Sequence, residues 1–259
     1  MLVMKFGGAS VAKTESFHKI AKIIIERSLL HKKIVVVLSA MANTTDQLLQ
    51  MAREVHPNPP TREQDMLVSV GERISIALLA MALAKEGMNA LSFTGSQSGI
   101  ITCENHSDAR IVDVKPKRLV EALDKGQVAI VAGFQGVSRK GEITTLGRGG
   151  SDTSAVALGV ALGAPRVEFY KDVPGIFDSD PKKNPAAKVL PNLSYAEALQ
   201  LAKGGAKVLH SRCIELAESN GVELSVLSFQ NPEDPGTIVG FECNRNSCLS
   251  YEVATCLHN

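Results

Sequence analysis

Short β-branched apolar runs alternate along this chain with longer stretches of helical period. That alternation predicts an α/β fold in which a parallel sheet carries helices on both faces. Leu2 to Phe6 reads as a first strand, followed at once by Gly7 and Gly8. Phe17, Ile20, Ala21 and Ile24 share one face of a helix, and Ile34 to Leu38 is the continuous apolar run that a doubly covered strand needs. Thr44 to Val55 is helical until Pro57, Pro59 and Pro60 break it. Arg62 to Lys85 then forms one long amphipathic stretch around Gly71 and Glu72. A helical glycine costs about 1 kcal/mol against alanine, so Gly71 points to close backbone approach.

Further along, Ala90 to Phe93 and Val128 to Ala132 read as strands, and Ser98 to Val114 as a hairpin-like excursion. A turn marked by Gly136 and Gly141 leads to Thr144–Ala155, which runs directly into the helical pattern of Val156, Leu158, Val160, Ala161 and Leu162. Arg166 to Tyr170 is a strand and Lys171 to Pro185 a loop rich in Asp, Pro and Gly. Ser194 and Glu197 form a capping box that opens a helix to Lys203, which Gly204 and Gly205 stop. A helix around Ile214 to Ser219, a strand from Val222 to Ser228 and an edge segment from Gly236 to Val239 complete the pattern.

The chain has 259 residues, 44% of them hydrophobic, and a net charge of +1. That balance offers no broad field for nucleic acid or an anionic membrane, so small molecules are the expected partners. No apolar run is expected to reach bilayer-spanning length, and the first residues lack the apolar core of a signal peptide, so the expected location is cytoplasmic. Five scattered cysteines do not suggest a disulfide framework, and Cys103 and Cys213 read as buried or half-buried thiols. Cys243, Cys248, Cys256 and His258 crowd the end at irregular spacing, which reads as a frayed tail rather than a metal site.

The chemistry centres on Thr144–Ala155. Gly147, Gly149 and Gly150 precede a helix start, where unpaired N–H groups and the helix dipole favour an anion, and Arg148 adds a guanidinium fork. Ser151 or Asp152 capping that helix is the simpler alternative. Lys5 sits at the carboxyl end of the first strand, where open α/β sheets bind ligands. Gly7 to Thr14 nearly matches a P-loop, but Ala12 replaces its second glycine and no strand ending in a magnesium-binding Asp accompanies it. Ser39, Thr44 and Thr45 form a hydroxyl cluster that suits an anionic ligand, with Thr44 also a candidate N-cap. Glu72, in an apolar helix, is either an exposed residue or a carboxylate aimed at a ligand cation.

Taken together, Lys5–Ser10, Ser39–Met41 with Thr44–Asp46, Gly71–Glu72, Thr145–Asp152, Lys171–Pro181 and Gly205–His210 resemble the aspartokinase catalytic domain, in that family's order. The resemblance implies the amino-acid kinase fold: a three-layer αβα sandwich with an open, mainly parallel eight-stranded sheet. It implies an N-terminal lobe (1–165) for the amino acid, a C-terminal lobe (166–240) for nucleotide and a tail (241–259) of unknown role. The implied reaction transfers a phosphoryl group from ATP, with Mg²⁺, to L-aspartate, giving 4-phospho-L-aspartate for lysine, threonine and methionine synthesis. Lys5 and Lys207 would lie at the phosphoryl group and Asp152 would orient them. Ser39, Thr45, Glu72, Arg148, Gly149 and Ser151 would bind the amino acid, with Glu72 on its ammonium and Arg148 on a carboxylate. Gly7, Gly8, Lys171, Asp172, Phe177 and Lys182 would join the two lysines around the nucleotide.

Ala9, Lys171, Phe177 and Lys182 depart from the Thr, Thr, Tyr and Arg common in the family. The chain runs about twenty residues past Val239, too short for the regulatory ACT domains usual there, so the expectation is no feedback by the end-product amino acids. A homodimer stays open. Two alternatives stand beside this reading: a related kinase with another acidic substrate, and a non-catalytic nucleotide-binding regulator.

Overall fold

The apolar runs near the start of the chain become the middle of an eight-stranded sheet in the computed structural model, which describes residues 1–206, 208–240 and 250–252. The first half contains β1 (Leu2–Phe6), α1 (Thr14–Ser28), β2 (Ile34–Leu38), α2 (Thr44–Val55), α3 (Thr61–Val68), α4 (Val70–Lys85), β3 (Ala90–Phe93), α5 (Gly95–Ser98), β4 (Ile100–Thr102), β5 (Ile111–Val114) and α6 (Lys117–Asp124). The second contains β6 (Val128–Ala132), β7 (Gln135–Ser138), β8 (Ile143–Thr145), α7 (Gly150–Ala161), β9 (Arg166–Lys171), β10 (Asn192–Leu193), α8 (Tyr195–Lys203), α9 (Ser211–Asn220), β11 (Glu223–Ser228) and β12 (Thr237–Val239).

The large sheet has the order β10-β12-β11-β9-β1-β2-β6-β3. Its strands are parallel from β11 to β3, while β12 returns antiparallel to β11 and β10 runs parallel to β12. Every residue of β1, β2 and β6 is buried, because helices cover both faces. The period of two along each strand sorts the core into two layers. Val3, Val35, Val37, Val131 and Phe169 pack towards Leu119, Val156, Ala198 and Ile214 of α6, α7, α8 and α9. Leu2, Met4, Phe6, Val36 and Leu38 pack towards Ile20, Ile24, Leu79 and Leu83 of α1 and α4. The sheet crosses residue 165 without a break, since β9 pairs with β1.

Several expectations change. Arg62 to Lys85 divides at Ser69 into α3 and α4. Thr61–Lys85 does reach bilayer-spanning length and contains an 18-residue window of mean hydropathy 1.8, contrary to the sequence expectation. Half of that window is buried inside this fold, and the stretch carries the buried acids Asp65 and Glu72. The excursion is larger than a hairpin: β4 and β5 pair antiparallel, and the segment read as a Gly-marked turn forms the hairpin β7–β8, giving a second sheet in the order β5-β4-β7-β8. Gly136 lies inside β7, where a Cβ would come within 2.9 Å of the Ile100 carbonyl. The α6 helix had no sequence expectation at all.

The capping box forms as read, with Ser194 Oγ accepting from the Glu197 amide and Glu197 accepting from the Ser194 amide. Cys103 and Cys213 are both buried, and neither forms a disulfide among the described residues. Ser250–Glu252 is docked rather than frayed: Ser250 and Asn220 exchange two hydrogen bonds, of 2.7 and 2.9 Å. Cys243, Cys248, Cys256 and His258 lie outside the described residues.

Candidate active site

The carboxyl ends of β1, β2 and β6 meet the start of α7 around a cavity of about 270 Å³. Its walls include Lys5 and Gly8 after β1, Ser39, Ala40, Ala42 and Thr45 after β2, and Glu72 from α4. Phe134, Gly147, Gly149, Gly150, Ser151 and Asp152 close the other side.

The α7 helix begins at Gly150 with Gly149 as N-cap and no side-chain cap. Capping by Ser151 or Asp152 is therefore corrected: both lie in the first turn and face the cavity. A helix start without a side-chain cap is compatible with the anion expected there. Gly149 has φ +73°, and a Cβ on it would reach within 2.3 Å of the His210 ring, so no other residue fits that position. Thr44 does not act as a cap either; it is the first residue of α2, behind Asn43.

Lys5 and Asp152 form a buried ion pair, Nζ to Oδ1 2.6 Å. Lys171, at the end of β9, reaches the same carboxylate from the other side, Nζ to Oδ2 3.0 Å. Burial would raise the Asp152 pKa, but the Lys171 and Lys5 ammoniums outweigh it and hold the carboxyl at about 2. Burial pulls the Lys5 ammonium below its ordinary range, against the pull of Asp152. The pair is thus a preset arrangement of two cations on one anion, with Lys5 turned to the cavity.

Glu72 forms the opposite kind of site. It is 2% exposed; Oε1 accepts from the Ala40 amide at 3.1 Å, and Oε2 has no partner among the described residues. Burial pushes its carboxyl up to about 8. Gly71 makes this placement possible, since a Cβ there would come within 2.8 Å of the Ala40 Cβ. Gly71→Ala is expected to lower stability by about 1–2 kcal/mol, overpacking outweighing the helix propensity gained. Thermal unfolding checks this: an unchanged or raised midpoint would show that α4 is free to move away.

Lys5, Gly8, Ser39, Thr45, Glu72, Gly149, Ser151 and Asp152 come together at one cavity, and Lys171 joins through Asp152. Gly7 stands beside the Lys5 ammonium. Arg148 is exposed and outside the lining, although its neighbours Gly147 and Gly149 belong to it. Asp172 and Lys182 are exposed and Phe177 bridges to Val189, all along the β9–β10 connection and outside the lining. Lys207 lies outside the described residues.

Sequence reasoning missed three contributors. Ala42 and Phe134 line the cavity at φ +29° and +68°, strain that neither residue type signals. Asp65 is fully buried; it accepts from the Thr145 hydroxyl at 2.5 Å and from the Thr145 and Ser107 amides at 3.1 Å, and His106 Nδ1 lies 2.8 Å away. It anchors the end of β8 directly ahead of the glycine loop. Its signal was available, as an acid heading an apolar stretch.

Buried Lys5, half-buried Lys171 and a helix start meet at the carboxyl ends of a parallel α/β sheet, a place that suits an anionic ligand. The chain belongs to the amino acid kinase family, whose model matches residues 1–228. The aspartokinase of Mycolicibacterium smegmatis is 52% identical over 240 residues, 92% of this chain and 57% of that protein. The aspartate kinase structure from Synechocystis superposes with a TM-score of 0.83 at 46% identity, covering 95% of this chain and 41% of that one. Escherichia coli aspartokinase III in complex with aspartate and ADP gives 0.83 at 29% identity, covering 95% and 65%. The chain thus spans little more than half of the curated relative's length.

Proposed function

We propose that this chain carries the site for ATP-dependent phosphorylation of the L-aspartate side chain, forming 4-phospho-L-aspartate and ADP. The observation that carries the reading is one cavity holding both the unpartnered Glu72 Oε2 and the Lys5–Asp152 pair. Glu72 suits the substrate ammonium. A side-chain carboxylate with a pKa near 3.9 is already ionised at neutral pH, so it attacks without a general base. The obstacle is repulsion between that anion and a polyphosphate. Lys5, held by Asp152, and the first turn of α7 offset it, and in-line placement supplies much of the remaining acceleration.

Lys207 joins Lys5 at the phosphoryl group in this reading, and Arg148 folds over the opening onto a substrate carboxylate. Nucleotide lies towards Lys171, Asp172, Phe177 and Lys182, on residues 166–240, with the amino acid on 1–165. Among the described residues no group of three or more His, Cys, Asp or Glu side chains is placed to hold a metal. Mg²⁺ would be held by substrate phosphates with at most one or two carboxylates, and would supply neutralisation of phosphate charge. The proposed setting is the cytoplasm, with no nucleic acid or membrane partner.

A kinase for an N-acylated amino acid is the competing reading, and Glu72 argues against it because such a substrate has no ammonium. Trapping the acyl phosphate with hydroxylamine tests both, using ATP, Mg²⁺, aspartate and N-acetyl-aspartate. Aspartate should react and N-acetyl-aspartate poorly; equal turnover of the two would sink the assignment of Glu72. Nucleotide binding measured by calorimetry without any turnover would favour the non-catalytic regulator.

A further inference from the structure

The loop that closes the cavity is tethered from behind by a residue far along the chain. Arg212, in α9, has a side chain only 9% exposed. Its Nε and Nη2 donate to the two carboxylate oxygens of Glu252, at 2.7 and 2.9 Å, in a bidentate fork. The same guanidinium donates through Nη1 to the Leu146 carbonyl and through Nη2 to the Ala109 carbonyl at 3.0 Å. Asp108 is a further, exposed partner at 3.4 Å. Glu252 also accepts from the Ile111 amide at 2.8 Å and lies 3.5 Å from Arg110.

Leu146 directly precedes Gly147, and Gly147 and Gly149 both hold positive φ. Glycines give that loop little stiffness of its own. Its position is set at one end by Asp65 on Thr145 and by Arg212 on Leu146. Glu252 is the buried, bidentate counter-charge of Arg212, Asp108 being exposed and more distant. Without that partner the guanidinium is driven to solvent and the Leu146 and Ala109 carbonyls lose their donor.

We propose that Glu252 is a positioning residue for the cavity: by holding Arg212 it fixes the Leu146–Ser151 loop, and Ser250–Glu252 acts as a strap whose seating sets that loop's geometry. The structural claim stands by itself, and only its kinetic consequence rests on the aspartate reading. Anything that lifts the strap loosens the Leu146–Ser151 loop through Arg212, with no ligand in the cavity.

The test compares amide hydrogen exchange at Leu146, Gly150 and Thr153, which donate to the Phe134, Gly147 and Gly149 carbonyls, with exchange along β1. Glu252→Gln is expected to speed the amides of Leu146, Gly150 and Thr153 by about tenfold or more while β1 stays unchanged. The aspartate KM should rise by about tenfold with a smaller change in kcat. The double variant Arg212→Met, Glu252→Met removes both buried charges, leaves no unpaired ion and therefore folds even if the single variant does not. Its loop still lacks the Leu146 donor, so exchange should remain fast. A pair that serves stability alone predicts the reverse, a double variant with wild-type loop exchange, and that result overturns the proposal. Absence of aspartate turnover in the unmodified protein would instead remove the proposed function and leave the exchange comparison intact.

Discussion

Lys5→Ala is expected to cut aspartate phosphorylation by roughly hundredfold or more, while Lys13→Ala leaves it nearly unchanged. Both lysines flank the same glycine turn, and the near-match to a P-loop would assign the phosphate to Lys13. The structure separates them. Lys5 is 4% exposed, lines the cavity and is locked on Asp152, whereas Lys13 is exposed at the start of α1. In the proposed reaction, removing Lys5 takes away a charge beside the transferring group. Asp152 keeps Lys171 as a counter-charge, so the variant should remain folded. Circular dichroism beside the hydroxylamine assay checks both halves, and a crippled Lys13→Ala would restore the P-loop reading. Lys5→Arg is not expected to rescue, because a planar fork does not replace a compact ammonium in a closed site.

Glu72→Gln should raise the aspartate KM by roughly a hundredfold, since losing one partner of a buried charged contact costs about 2–5 kcal/mol. It should also make the unliganded protein more stable at high pH. The folded-state pKa of Glu72, about 8, lies above the ordinary value of 4.5. The folded chain therefore binds the extra proton, and the stability this confers is complete below pH 4.5 and lost as pH rises through 8. Glutamine removes that loss.

Pairing with a substrate ammonium needs the ionised carboxylate, so aspartate binding at pH 7 should release a proton. The aspartate KM should fall as pH climbs towards 8. Calorimetry in buffers of different ionisation enthalpy measures the release; no buffer dependence, or a Glu72→Gln variant that still releases the proton, would contradict the assignment.

Much of this site was legible before any coordinates. The glycine loop, Lys5 at a strand end and Gly71 beside Glu72 each break a local rule in a way that demands a reason. A glycine inside a helix and an acid in an apolar stretch lower stability unless something approaches or pairs with them. The structure supplies the Ala40 approach for Gly71, and for Glu72 one backbone donor and one open oxygen. Asp65 broke the same rule and was passed over. The β7–β8 hairpin was not read because its strands are short, whereas α6 sets Leu119, Ala122 and Leu123 on one face and its helical period, though only eight residues long, was legible.

What the sequence determined by itself was the periodicity: which runs are strands, which are helices, and hence a covered parallel sheet whose carboxyl ends hold the candidate site. These follow from local side-chain patterning, which every residue carries wherever the chain goes. Only the tertiary structure decided which charges meet. Lys171 shares Asp152 with Lys5 across 166 positions of chain, and Arg212 joins Leu146 to Glu252. Such pairings depend on strand order and on which buried charges must be neutralised together. Because β9 lies beside β1, and α9 packs on α7 behind the loop, those partners are set by topology rather than by spacing.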